Sequence, residues 1–263
     1  MNVVPISAAR HTGKAWRRPS SFAFASTEAV VPLVAAEFAR AALALPIGFV
    51  AQGSAYVPVA VTSPIAGRNL AIGPAGQWLA AYVPAALRSY PFRLGQGPGD
   101  DQITLCIDED SGTIVAADGV ADDLVDAEGK PTLAMKTMLA FLLTMEQSRR
   151  NTEHAVAALA DAGLIQPWHF QVTIDGHATP AAGIFRVDEA ALNALDDTAF
   201  LVLRRSGALA LAYLQLVSMN QIALFDQWAF AQQQLAKAQQ QQRQITSLDE
   251  IFERAANETL RFH

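Results

Sequence analysis

The chain has 263 residues, 51% of them hydrophobic and 17% charged, with a formal net charge of −6 at pH 7. That length and apolar content can bury a substantial core in one large domain or two small ones. The acidity argues against a broad electrostatic grip on nucleic acid or anionic lipid, and a single cysteine, Cys106, leaves no intramolecular disulfide.

Residues 1–26 show no steady hydrophobic period and are expected to form a flexible arm, with Arg10, Lys14, Arg17 and Arg18 solvated. No secretory leader is expected there, because the apolar run Phe22-Ala23-Phe24-Ala25 is short and Glu28 soon follows. Val30-Val31-Pro32-Leu33 precedes a helix over 35–45, with Phe38, Ala41, Ala42 and Leu45 at helical spacing and Pro46 as its stop. Ile47-Gly48-Phe49-Val50 reads as a buried strand with a turn at Gln52-Gly53-Ser54. Pro58 places the next β-rich run, 56–61, at a sheet edge or bulge, since proline cannot donate to a ladder. Residues 69–79 read as a hairpin. A short helix over 84–90 leads to Tyr90-Pro91-Phe92 and then to the strand Ile103-Thr104-Leu105-Cys106-Ile107. That strand runs into Asp108, Glu109, Asp110 and Ser111, and Cys106 within it reads as a small buried hydrophobe.

Residues 111–130 are acidic and glycine-rich and read as a loop. A helix is expected from Pro131 to a glycine stop at Gly163, its methionine-bearing stripe read as core packing rather than as a ligand groove. Residues 168–187 read as a hairpin turning at Asp175-Gly176. Asp188 and Asp196-Asp197 each open a short helix. A long apolar helix from about Ala208 continues past Phe225 and Trp228 into a glutamine-rich stretch. Its 206–225 segment is long enough to span a bilayer, but Gln215, Ser218, Asn220 and Gln221 interrupt it, which favours a buried helix with no integral span. Glutamines over 232–244 favour a protruding helix, and Ser247-Leu248-Asp249-Glu250 reads as a capping box opening a last amphipathic helix. Ile251, Phe252, Ala255 and Leu260 form its apolar stripe and are candidate oligomer contacts for a homodimer.

The chemistry legible in the residues is sparse. The histidines, at 11, 154, 169, 177 and 263, show no metal-ligand spacing, although His169 and His177 could approach across the 168–187 hairpin, and no metal or cofactor site is expected. The Asp108-x-Asp110-x-Gly112 run lacks the remaining ligands of a calcium loop. No nucleophile elbow, phosphate-binding loop or dinucleotide fingerprint is present. Asp108, Glu109 and Asp110 read as a strand-end cap or as an acid/base pair, and repulsion among them predicts that neutralising all three raises stability.

Several blocks in the chain, in order, resemble the SapC family of proteobacterial proteins. They are Val31-Pro32-Leu33 with Glu37, Pro46-Ile47, Tyr56-x-Pro58-Val59-Ala60, Asn69-Leu70 and Gly76-x-Trp78. The likeness continues through Val83-Pro84-Ala85 with Arg88, Tyr90-Pro91-Phe92, the 105–111 run, Gly183-x-Phe185, Leu192-Asn193-Ala194-Leu195 and Gly207-x-Leu209-Ala210-Leu211. It ends near residue 228. The family takes its name from a surface-array protein, and its members are often encoded beside TonB-dependent receptors and other envelope genes. The peptide-transporter permease of the same name is a different protein, and this chain lacks a permease's repeated spanning helices. The resemblance points to a non-enzymatic accessory or binding protein of envelope or TonB-linked uptake systems that recognises a peptide, protein or glycan, while the expected lack of a leader and of a spanning helix points to a cytoplasmic protein that meets the envelope through a partner. The competing classes are an enzyme using the 108–110 carboxylates and a self-assembling surface component. Candidate ligand-binding residues are Arg88, Tyr90, Phe92, Asp108, Glu109, Asp110 and Ser111. The expected fold is α+β: a small, largely antiparallel, Gly/Pro-punctuated sheet in the first 110 residues, and a helical part with one further hairpin sharing its core. The expected layout is an arm at 1–26, one domain over 27–228 and the terminal helices over 229–263.

Overall fold

Strand pairing begins almost at the first residue of this computed structural model, which describes residues 2–96, 103–174 and 176–259, with side chains through Gln242. β1 (Val3–Pro5), α1 (Ala8–His11) and β2 (Lys14–Trp16) precede β3 (Val30–Pro32), α2 (Ala35–Ala41), β4 (Ile47–Gln52) and β5 (Ala55–Val61). Then come α3 (Ala85–Arg88), β6 (Phe92–Gln96), β7 (Ile103–Asp108), β8 (Ile114–Ala116), β9 (Asp122–Asp123) and α4 (Leu133–Asp161). β10 (Ile165–Pro167), β11 (Gln171–Ile174), β12 (His177–Pro180) and β13 (Phe185–Val187) follow, and after them α5 (Glu189–Asn193), α6 (Asp197–Ser206), α7 (Ala208–Ser218) and α8 (Leu224–Thr259). Open antiparallel sheets flanked by helices make this an α+β fold.

The main sheet has the order β10-β13-β4-β5-β3, so strands from 165–187 complete a sheet that the sequence confines to the first 110 residues. β5 has neighbours on both sides, which corrects the edge or bulge expected of Pro58. Proline is tolerated because Pro58 bonds β4 at neither end, and on the β3 side its carbonyl accepts from Leu33 N at 3.0 Å. Its missing donor falls where β3 has ended, so no ladder bond is lost. The hairpin expected over 69–79 shrinks to one bridge, Ile72 to Trp78. The hairpin expected over 168–187 shortens to β11 and β12, because 185–187 pairs with β10 and β4 in the main sheet instead, and Asp175 at its turn lies outside the described residues.

Two apolar cores form where one was expected. The larger packs Phe38, Leu45, Ile47, Phe49, Leu159, Leu164 and Phe225 between the main sheet and the helices. The smaller holds Trp16, Phe92, Leu105, Ile107, Leu124 and Met135 beneath the sheets β1-β7-β6 and β8-β2-β9. α4 reaches both, because its 29 residues extend about 43 Å at 1.5 Å per residue. Met135 sits in the small core and Ala155, Val156 and Leu159 in the large one. Thr132 caps its start, one residue after the proline expected to open it. Gly163, at φ 69°, ends it with Leu164 N bonded to Leu159 O at 3.0 Å. α4 also caps α2: Thr152 Oγ1 accepts from Ala35 N at 2.7 Å and Ser148 Oγ from Ala36 N at 3.1 Å.

The residues expected as a flexible arm are built into the small core's sheets. β1 pairs with β7 and β2 with both β8 and β9, which also gives structure to the expected acidic loop. The reason is burial: Ala15 and Trp16 are almost fully enclosed.

The stretch Ala208–Gln242 is long and apolar enough to cross a membrane by length and composition, with a third of its most apolar window buried. A 3₁₀ turn at Met219–Ala223 divides it. The polar interruptions in α7 hold the sheet. Gln215 accepts from Val187 N at 2.9 Å and donates to Ile47 O at 3.0 Å, and Ser218 Oγ accepts from Ile47 N at 3.0 Å. α8 runs unbroken through Ser247, so the expected capping box opens no separate helix. Gln232 docks its first turns on the body, donating to the carbonyls of Asn69, Leu70 and Ile72. The side chains of Ile251, Phe252 and Ala255, and all of Leu260, lie outside the described residues.

Candidate functional site

A groove of about 800 Å³ opens where the two cores meet across α4. One wall is β3 and the turn before it, the other is the 85–94 segment, and Leu142, Met145, Glu146 and Arg149 of α4 complete it. Phe24 and Tyr90 stack nearly parallel at its mouth, ring centres 3.8 Å apart. The Tyr90–Pro91 peptide is cis, and Tyr90 Oη donates to Ser111 O at 3.4 Å. Burial, and then the charge of Asp108, push the Tyr90 phenol upward.

Glu37, 3% exposed, ties the two walls together. Its Oε1 accepts from Tyr82 Oη at 2.8 Å and from Ala85 N at 2.6 Å, while Oε2 accepts from Val34 N at 3.3 Å. Arg88 Nη2 stands 3.8 Å from the same carboxylate and donates to Tyr82 Oη at 3.3 Å. Arg88 also lies over the rings of Tyr82 and Phe141. Burial raises the Tyr82 phenol first, and its bond to Glu37 raises it further, so Tyr82 donates as a neutral hydroxyl at neutral pH. A carboxylate with this many donors is a structural tie with little capacity left for a ligand.

The acidic run lies elsewhere. Asp108 is 7% exposed and caps the short 3₁₀ turn after β7, accepting from Asp110 N at 3.2 Å and from Asn2 N at 2.9 Å. Glu109 reaches Arg10 at 2.5 Å, Lys14 at 3.8 Å and the enclosed His11 at 3.5 Å, and accepts from Asn2 Nδ2 at 3.2 Å. Asp108 and Glu109 therefore clasp the N-terminal segment to the small core. Neutralising the run with Asn and Gln removes the counter-charge of Arg10 and Lys14 and weakens the acceptors of these donors, so the expectation of a gain in stability reverses to a loss. Of the candidate ligand-binding residues, Tyr90 and Phe92 line the groove and Arg88 braces its wall through Glu37 and Tyr82. Asp108, Glu109, Asp110 and Ser111 stand behind that wall, joined to it through Tyr90 Oη on Ser111 O and Asp108 N on Pro91 O.

The clasp is sensitive to pH. Burial holds the His11 imidazole below its ordinary value of 6.5, outweighing the opposite pull of its bond to the Ser7 backbone and then of Glu109, with Lys14 and Arg10 adding to the depression. The bond from Arg10 is the main cause that keeps Glu109 below its ordinary value of 4.5. Both groups are depressed on folding, so both contribute stability that is present above these values and lost as pH falls through the folded ones. Protection factors of the β1 and α1 amides, corrected for the slower intrinsic exchange at lower pH, are expected to fall as pH drops from 7 to 5.5. In His11→Gln that fall is expected to shrink, and parallel profiles for the two proteins would remove His11 from the clasp.

Sequence reasoning missed the groove. Met138 packs against the small core as expected, but Met145 lines the groove, against the reading of that stripe as core alone. Glu37 at N3 of α2, reaching back to Val34 N, was the available signal. Its contacts with Tyr82 and Arg88 span about fifty residues and leave no local trace. His169 does not meet His177, which pairs with Ile174 beside the turn. Among the described residues no group of three or more His, Cys, Asp or Glu could hold a metal. Cys106 is buried, and burial pushes its thiol upward, away from nucleophilic reactivity.

The chain is thus an α+β body with a groove braced by the buried carboxylate of Glu37. The SapC family model matches residues 6–224, most of the chain, and the protein belongs to the SapC family. No curated protein and no solved structure matches it.

Proposed function

We propose that this SapC-family chain is a non-enzymatic binding protein that takes a peptide or an exposed protein segment into the groove at α4, serving an envelope or TonB-linked uptake system. The observation that carries the reading is the groove's lining. Apolar side chains (Val30, Leu94, Leu142, Met145) alternate with a few fixed polar groups, as recognition sites are built. The Asp108 and Glu109 carboxylates are engaged in capping and ion pairs outside the groove, which weighs against acid/base chemistry there. Sugar recognition is less favoured because the Phe24 and Tyr90 rings cover one another.

The test is to pan random peptides displayed on phage against the full chain, with a glycan array alongside. Peptides are expected to enrich, and Met145→Arg, checked for unchanged melting, is expected to weaken their binding at least tenfold. Enrichment of glycans alone, or peptides indifferent to Met145→Arg, would overturn the reading.

A further inference from the structure

Two open sheet edges border the groove. β3 contributes the consecutive residues Val30, Val31 and Pro32, and β6 contributes Phe92, Arg93 and Leu94. Consecutive residues present opposite side-chain faces, so what both strands turn to the cavity is backbone.

The ladder phase shows which backbone groups are free. In β7, Asp108 N donates across to Pro91 O at 3.2 Å, while Leu105 O, on the opposite edge, accepts from Ile6 N at 3.0 Å. Alternation therefore spends Arg93 and Gly95 on β7 and turns Leu94 N–H and C=O outward. In β3, Ala29 O accepts from Thr62 N and Leu33 N donates to Pro58 O, so Val31 faces β5 and Val30 N–H and C=O turn outward. Neither Leu94 nor Val30 finds a backbone partner for these groups among the described residues. β3 is blunted by Pro32, which brings no donor. β6 is not blunted in this way.

We infer that the groove binds its ligand by strand addition: an extended peptide segment pairs with the free edge of β6, exchanging two backbone hydrogen bonds with Leu94. The inference rests on the peptide-binding reading above and names its mode. Charge sets the side chains. Arg93 is exposed and makes no ion pair among the described residues, so the added residue opposite it is acidic. The residue opposite Leu94 shares the other face, toward Leu142 and Met145, and is apolar. The ligand is an extended segment in which an acidic residue adjoins an apolar one.

The experiment uses peptides enriched by panning on the full chain, resynthesised with one backbone N-methyl group at each position in turn. Strand addition is expected to give a period of two: methylation at one residue weakens binding tenfold or more, and at the next leaves it unchanged. The Leu94 amide is expected to exchange at least tenfold more slowly in the complex, and Arg93→Glu to shift selection toward basic peptides. Loss on Met145→Arg without the period of two, or with Leu94 exchange unchanged, keeps the groove as a binding site and overturns strand addition. Peptides indifferent to Met145→Arg overturn the binding reading itself.

Discussion

Glu37→Ala is expected to lower unfolding free energy by about 3 kcal/mol, the largest effect of any single change around the groove. The substitution strips partners from Tyr82 Oη, Ala85 N and Val34 N together and leaves the Arg88 guanidinium without its buried counter-charge. Each orphaned buried donor costs on the order of 1–3 kcal/mol, offset in part because Arg88 reaches solvent. Glu37→Gln keeps an acceptor oxygen and is expected to cost about half as much. Denaturant midpoints measure both, and a double-mutant cycle with Tyr82→Phe should reveal coupling, since the two side chains share one bond. Because Glu37 joins the β3 wall to the start of α3, the folded fraction of the Ala variant should also bind groove peptides more weakly. An Ala variant within about 1 kcal/mol of wild type would show that the tie contributes little.

The second large effect is expected at Gln215. Gln215→Leu conserves volume and removes both of its buried bonds, leaving Val187 N and Ile47 O without partners. A loss of about 2–4 kcal/mol follows from two unsatisfied backbone groups. Ser218→Ala orphans Ile47 N in the same place and should add less than its separate effect, because the two side chains brace one strand end. The sign also reports the helix's surroundings. In lipid, replacing glutamine by leucine would favour the helix, whereas against the ends of β4 and β13 it weakens the protein. A stabilised Gln215→Leu would overturn the packing of α7 on the sheet.

Much of this fold is written locally. The period of 3.6 over 133–161, Gly163 beyond it, and the aspartates at 188 and 196 marked three helices by themselves. These features act within one turn of the chain, as capping bonds and left-handed glycine, so neighbouring residues suffice to reveal them. The α+β class and the burial of Cys106 were legible for the same reason. The family was legible too, because its motifs are short blocks in a set order.

Only the tertiary structure decided the rest. Pro58 alone suggested an edge; the early end of β3 at Pro32 placed the proline inside a sheet without losing a bond. The N-terminal segment lacks a period, and β7 and β8 supplied the edges on which it folds. Three carboxylates in a row looked like mutual repulsion until Arg10, Lys14 and the Asn2 amide arrived from about a hundred residues away. The groove depended on tertiary placement most of all. Its walls come from 24–37, 85–94 and 142–149, and the free bonds of Val30 and Leu94 exist only because each strand is paired on one side alone. Sequence specifies side chains, while the open edge of a strand belongs to backbone, and every residue carries the same backbone until neighbouring strands use it.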